Sequence, residues 1–290
     1  MTIELYQLYI ILANNTDSNQ KHMRLKLFFI AGLAFLTVSC SRNAITGRNQ
    51  LQLLPEAELQ SMAKSEYQTF LSQNKIVSSS VSKDAEMVKR VGNRISKAIT
   101  QYYTAENKGD ILQGYQWEFN LVDSKDVNAW CMPGGKVVVY TGILPVTQNE
   151  AALAVVMGHE IAHAIAQHGN ERMSQGLLAE GLGTVGSVLT SGNPTVNNIF
   201  NMVYAPGAQI GVLLPNSRKQ ELEADQYGLI FAAMAGYNPK EAVPFWERMA
   251  KAGGGQKPPE FLSTHPSDET RIAKVKRYAE DAMKYYKPVK

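Results

Sequence analysis

Cysteine is almost missing from this 290-residue chain, which has 2, Cys40 and Cys131. Cys40 lies in a segment with a separate explanation, given below, so Cys131 has no intramolecular partner and no disulfide framework is expected. A strong charge of either sign is also missing. The 29 basic and 26 acidic residues leave a formal charge of +3, and the basic residues are scattered. A nucleic-acid-binding surface would concentrate them, so that class is excluded. Long apolar runs are absent too. The longest near the N-terminus, from Leu27 to Leu36, is far short of the roughly 20 residues that cross a bilayer. There is no internal repeat and no low-complexity linker, which leaves one large domain as the economical organisation.

That short apolar run has informative flanks. Met23-Arg24-Leu25-Lys26 precedes it, and Leu36-Thr37-Val38-Ser39-Cys40 follows. A basic segment, a short apolar stretch and small residues make a secretory signal peptide. The cysteine after Ser39 resembles a bacterial lipoprotein signal, with cleavage before Cys40 and lipid on its thiol. Thr37 departs from the aliphatic residue such signals prefer. Residues 1–22 then read as an extension ahead of the true start at Met23. Residues 40–50 read as a polar tether, and 51–290 as the folded domain.

Apolar periodicity predicts helices over Leu54–Leu71 and Lys83–Tyr103. Alternation over Tyr115–Val122 and the valines of Lys136–Tyr140 predict strands, with Pro133-Gly134-Gly135 as a turn. Thr147–Gln167 is the strongest helical segment. Thr147 and Glu150 form a candidate capping box, and Gly169 is a candidate stop. Its interior is apolar almost all round, the mark of a helix at the centre of a fold. Gln220–Ala235 and Ser267–Tyr286 are further helices. Ahead of Gln220, Gly176–Asn216 is Gly- and Asn-rich with apolar patches, and is expected to form a mobile cover over a site. The class is α+β, predominantly helical.

The central helix carries His159-Glu160-Ile161-Ala162-His163. Histidines at i and i+4 lie about 40° apart around a helix, so both rings reach one point. Two histidines and a carboxylate in so apolar a helix are costly unless paired or bound to metal. Zinc suits imidazole and keeps a position open in catalytic sites, and Glu160 is placed as general base rather than ligand. His168 is nine residues from His159, roughly 180° round a continuous helix, and so is expected to face away. The third ligand lies downstream. Glu221 and Asp225, at i and i+4, can act as ligand and as acceptor for a ligand histidine's free N–H. Spacing alone leaves Glu221 and Glu223 both open.

The segment Glu221-Leu222-Glu223-Ala224-Asp225 resembles the ExxAD motif of the M48 zinc metallopeptidases. Asn128-Ala129, Pro133-Gly134-Gly135, the HExxH helix and His265-Pro266-Ser267 with Arg271 match further motifs of that family in order. The likeness runs from about Thr46 to Arg271, and the Oma1-like and bacterial lipoprotein members look nearest. It implies a zincin-type metallopeptidase domain with a small sheet beside the HExxH helix. One zinc ion would be held by His159, His163 and Glu221, with Asp225 behind them. Asn128, Ala129, Gly134 and Gly135 would belong to an edge strand that pairs with extended or unfolded polypeptide. His265 and Arg271 would sit at the catalytic centre, beside the developing oxyanion or as a latch on the metal. Glu223 would be an ordinary polar residue and Cys131 a buried structural thiol. The expected function is zinc-dependent endopeptidase in envelope protein quality control, lipid-anchored on the periplasmic side at the outer membrane, with protein partners in the envelope. The rival is a zinc-bearing chaperone or assembly factor that binds unfolded envelope proteins and rarely cuts.

Overall fold

A computed structural model describes residues 40–181, 190–204, 217–252, 261–262, 265 and 269–288. The signal segment expected at 23–39 and the side chain of Cys40 lie outside the described residues, as does much of Gly176–Asn216. Among the described residues no helix is long and apolar enough to cross a membrane.

The chain opens with a hairpin. Strands β1 (Cys40–Arg42) and β2 (Asn49–Leu51) pair antiparallel, with Cys40 opposite Leu51. The stretch expected to be a tether is therefore folded. Its polar residues turn inward: Asn43 Nδ2 and Gln50 Nε2 both donate to the carbonyl of Ala166, at 2.9 and 3.0 Å. A polar composition misleads here because the partners are backbone groups at a helix end, which need donors.

Helix α1 (Glu56–Gln73) starts after Pro55, with Glu56 and Glu58 in the first turn where the helix dipole favours acids. It buries Leu59, Met62, Ala63, Tyr67 and Phe70, one stripe at helical spacing. A short strand, β3 (Ile76–Val77), leads to helix α2 (Lys83–Ala105), capped by Ser82 accepting from Ala85 N. Strands β4 (Glu118–Val122), β5 (Ala129–Met132) and β6 (Lys136–Tyr140) complete a four-stranded sheet in the order β3-β4-β6-β5. The pair β4–β6 is parallel and the others are antiparallel. Every residue of β6 is buried. Val137 and Val139 join the core formed with α2, while Val138 and Tyr140 pack with α1 on the other face. Period-two alternation thus serves two cores at once. The strand expected from Tyr115 begins only at Glu118, because Gln116 N is drawn to Gly134 O at the turn. That turn holds Gly134 and Gly135 at φ of 80° and 82°, where a side chain is strained.

After a short helix, α3 (Leu144–Thr147), comes the central α4 (Glu150–Ile165), buried at nearly every position. The expected capping box is displaced by two residues. Thr147 closes α3 by donating to Leu144 O, and the cap of α4 is Asn149, whose Oδ1 accepts from Ala152 N at 2.8 Å. Gly169 does not stop the helix either. The chain breaks at Gln167, left-handed at φ 53°, and α5 (His168–Ala179) starts in a new direction. Helix α6 (Pro194–Tyr204) then packs Val196, Ile199, Phe200 and Val203 into the core with Met173 and Leu177 of α5. Helices α7 (Ser217–Met234), α8 (Ala242–Ala252) and α9 (Glu269–Ala282) follow, with α7 lying against α4.

Candidate metal centre

All four histidines after His22 converge on one place. The first cause is the crossing of α4 and α7. A Cβ on Gly158 would fall 2.6 Å from Gly228 O, and one on Gly228 would fall 2.6 Å from His159 N. With no side chain between them the helices touch backbone to backbone. Asp225 and Glu221, about one and two turns before Gly228, are thereby brought against the histidine rings of α4.

His163 Nε2 is 3.1 Å from His159 Nε2 and 3.2 Å from Glu221 Oε1. His265 Nδ1 lies 3.2 Å from His159 Nε2 and 3.0 Å from Glu221 Oε2. One donor atom from each of His159, His163, Glu221 and His265 lies within 4.8 Å of all the others, and all four residues are buried. Imidazole nitrogens that face one another at such distances, around a carboxylate, match the donor set and spacing of a divalent transition metal. Glu221, not Glu223, is the carboxylate in this group.

Around these donors lies a second layer. His159 Nδ1 faces Asp225 Oδ1 at 3.0 Å. Arg271 spreads its fork over Asp225, with Nε donating to Oδ2 at 2.7 Å and Nη2 to Oδ1 at 2.9 Å. Its Nη2 is also 3.0 Å from Glu221 Oε2, its Nη1 donates to His265 O, and its guanidinium lies 4.2 Å over the Trp246 ring. Burial alone would raise Glu221 and Asp225. His265, Arg271 and His163 hold Glu221 well below the usual carboxylate range, and Arg271 with His159 keeps Asp225 low. Burial would depress His159, yet Asp225 and Glu221 push it up to about 9. A metal here competes with a proton. Arg271, expected beside a developing oxyanion, is instead bound behind the donors, where it holds Asp225, Glu221 and the His265 carbonyl in place.

Glu160, next to His159 on α4, is buried with Oε1 3.3 Å from His265 Nε2. Burial raises its pKa against the pull of His265 and His159. His265 also packs against Phe261, ring centroids 4.7 Å apart and planes tilted by 36°, and Phe261 N donates to Val127 O just ahead of β5.

Of the segment expected to pair with substrate, β5 forms the edge of the sheet. Tyr140 N donates to Asn128 O, so Asn128, Trp130 and Met132 direct their backbone toward β6. Antiparallel alternation then turns the backbone of Ala129 and Cys131 toward the open edge. Asn128 Oδ1 takes the Ala129 N–H at 2.9 Å. Gly134 and Gly135 shape the turn at the end of this edge rather than the edge itself. Burial raises the Cys131 thiol well above its usual value, with Glu160 adding to the effect, as suits an inert thiol.

His168 departs most from expectation. Its Nδ1 is 2.9 Å from His163 Nδ1, and its Nε2 is 3.0 Å from Glu223 Oε2. On one continuous helix His168 would face away, but the left-handed Gln167 breaks the helix and swings His168 back. Glu223 is likewise no ordinary surface residue, since it also accepts from Arg48 Nε at 2.8 Å. A histidine directly after a helix break was the signal available, had the break been placed.

Residues 82–279 match the profile described as Peptidase family M48. The chain is 35% identical over 183 residues to the mitochondrial metalloendopeptidase OMA1 of Saccharomyces cerevisiae, covering 61% of this chain and 51% of that protein. It is 31% identical over 268 residues to the Bos taurus metalloendopeptidase OMA1, covering 89% and 49%. It is 29% identical over 168 residues to the beta-barrel assembly-enhancing protease of Escherichia coli, covering 56% and 34%. The chain thus spans about half or less of the length of these relatives.

Proposed function

This chain belongs to peptidase family M48, and from that premise we propose that it is a zinc-dependent endopeptidase. The observation that carries the reading is a buried carboxyl, Glu160, beside a donor set built from His159, His163, Glu221 and His265. The relatives bear the names metalloendopeptidase and beta-barrel assembly-enhancing protease, which support the same reaction class.

A zinc ion held by His159, His163 and Glu221 would supply Lewis acidity toward a scissile carbonyl. The chain's own residues do the rest. The outward backbone of β5 pairs with an extended segment and lays it beside α4. Glu160 takes the proton of the attacking water and passes it to the departing amine. A carboxyl raised by burial suits that exchange near neutral pH. His265, 3.3 Å from Glu160 and within the donor group, either fills the position that substrate needs or swings to the developing oxyanion. Arg271 contributes by positioning Asp225, Glu221 and the segment that bears His265.

The proposed substrates are unfolded or extended polypeptides of a cell envelope. Support for an address comes from the signal-like sequence at 23–40, which favours lipid anchoring at Cys40 on the periplasmic, outer-membrane side, among envelope protein partners. A chaperone that rarely cuts has no use for Glu160, so hydrolysis is the better reading. Glu160→Gln tests it: zinc content stays at one per chain, and peptide hydrolysis falls by about 10²–10⁴-fold, the usual worth of a general base. Undiminished hydrolysis in that variant would overturn the mechanism.

A further inference from the structure

Each ligand histidine has a second ring nitrogen whose proton needs an acceptor in a dry site. For His159 that acceptor is Asp225, steered by Arg271. For His163 it is His168 Nδ1, at 2.9 Å. An imidazole nitrogen accepts only when the ring's other nitrogen carries the proton, so His168 must be the Nε2–H tautomer. Glu223 Oε2, 3.0 Å from that Nε2, selects it. Glu223 is in turn aimed by Arg48, through Nε to Oε1 at 2.8 Å and Nη2 to Oε2 at 3.1 Å.

Arg48 lies outside residues 82–279, on the hairpin at the start of the described chain. It is held from the other side by Glu171, whose Oε2 accepts from its Nη2 at 2.7 Å and from Gln220 Nε2 at 2.7 Å. The hairpin is fixed where it needs to be. Asn43 and Gln50 bind the Ala166 carbonyl at the end of α4, and Tyr227 of α7 donates to Ile45 O at 2.8 Å. One guanidinium thus joins α5, through Glu171, to α7, through Glu223, beside the ring that backs His163.

We propose that Arg48 is a positioning residue for the metal centre: it orients Glu223, which fixes the tautomer of His168 and through it the ring of His163. The N-terminal hairpin is then a working part of the site, the counterpart of Arg271 for the other ligand histidine. This rests on the reading of His163 as a metal ligand.

The test is zinc affinity, read by competition with a chromophoric chelator, with the ¹⁵N tautomer signals of His168 as a second readout. Removing an outer partner of a ligand histidine costs about 10–100-fold in metal affinity. His168→Gln should fall in that range. Arg48→Met should lose about tenfold, and Arg48→Lys, which keeps charge without the fork, should rescue only part. The double variant should bind no more weakly than His168→Gln alone, because both act along one line. Additive losses, or an Arg48→Met protein with lowered melting temperature but unchanged zinc affinity and unchanged His168 signals, would overturn the proposal. Glu223→Gln covers the case in which Arg48→Met does not fold, since it keeps the shape and should mix the His168 tautomers. If His163→Gln leaves zinc binding intact, the site reading itself fails, whatever Arg48 does.

Discussion

Gly158 and Gly228 meet backbone to backbone, so close that a Cβ on either would lie 2.6 Å from an atom of the other helix. This contact sets the spacing between the helix that carries two donors and the helix that carries the third. Backbone cannot yield as a flexible side chain can, so Gly228→Ala must push α7 away. The expected cost is about 1–3 kcal/mol, the range for overpacked cores. Because Glu221 and Asp225 move with α7, zinc affinity should drop as well. Chemical denaturation and zinc titration check both. A stable variant with unchanged affinity would show that the crossing does not set the site.

The register of β5 makes a second prediction. Cys131 N–H points to the open edge, whereas Trp130 N–H points to β6. Proline is tolerated on an edge strand only where its missing N–H faces outward. Cys131→Pro should therefore keep its fold and zinc, yet lose about twofold to tenfold in kcat/KM on an extended peptide, the worth of one hydrogen bond. Trp130→Pro should instead lower the melting temperature clearly. Equal destabilisation by both would mean that the outward residues are the others.

Much of this arrangement was legible in the chain, for identifiable reasons. The i, i+4 pairs His159/His163 and Glu221/Asp225 are local, so helical geometry alone predicts which rings and carboxylates share a face. What periodicity could not show was whether Glu221 or Glu223 joins the histidines, since that depends on the Gly158–Gly228 crossing, a contact between distant segments. His168 was misjudged because one left-handed residue, Gln167, restarts the angular count. The hairpin at 40–51 looked like a tether because its polar residues satisfy helix-end carbonyls and buried carboxylates rather than water. Arg271 lies against Asp225 and Glu221, a contact that sequence spacing does not show.

Arg271 is buried with its charge spread over Asp225 and Glu221. Arg271→Met would leave two buried carboxylates without that cation, and breaking a buried pair in this way costs about 3–5 kcal/mol. Zinc supplies positive charge to Glu221, so the loss should be smaller with zinc than in chelator. Urea unfolding of both forms measures the difference. Equal losses with and without zinc would mean that Glu221 does not face the metal.

Glu56 provides a pH signature away from the site. It opens α1, where the helix dipole favours its anion, yet burial outweighs that and pushes its pKa from 4.5 up to about 7, with Asn170 opposing. The folded chain therefore holds a proton that the unfolded chain has lost. Stability from this group is full below about 4.5 and falls as pH rises toward about 7, because the unfolded state binds fewer protons over that window. Glu56→Gln, neutral throughout and able to keep the contact with Asn170, should remove that fall. The difference in melting temperature between variant and parent should be near zero at the acid end and favour the variant above neutrality. A parent whose stability rises relative to the variant across the same window would place the Glu56 carboxylate in a site that welcomes its charge.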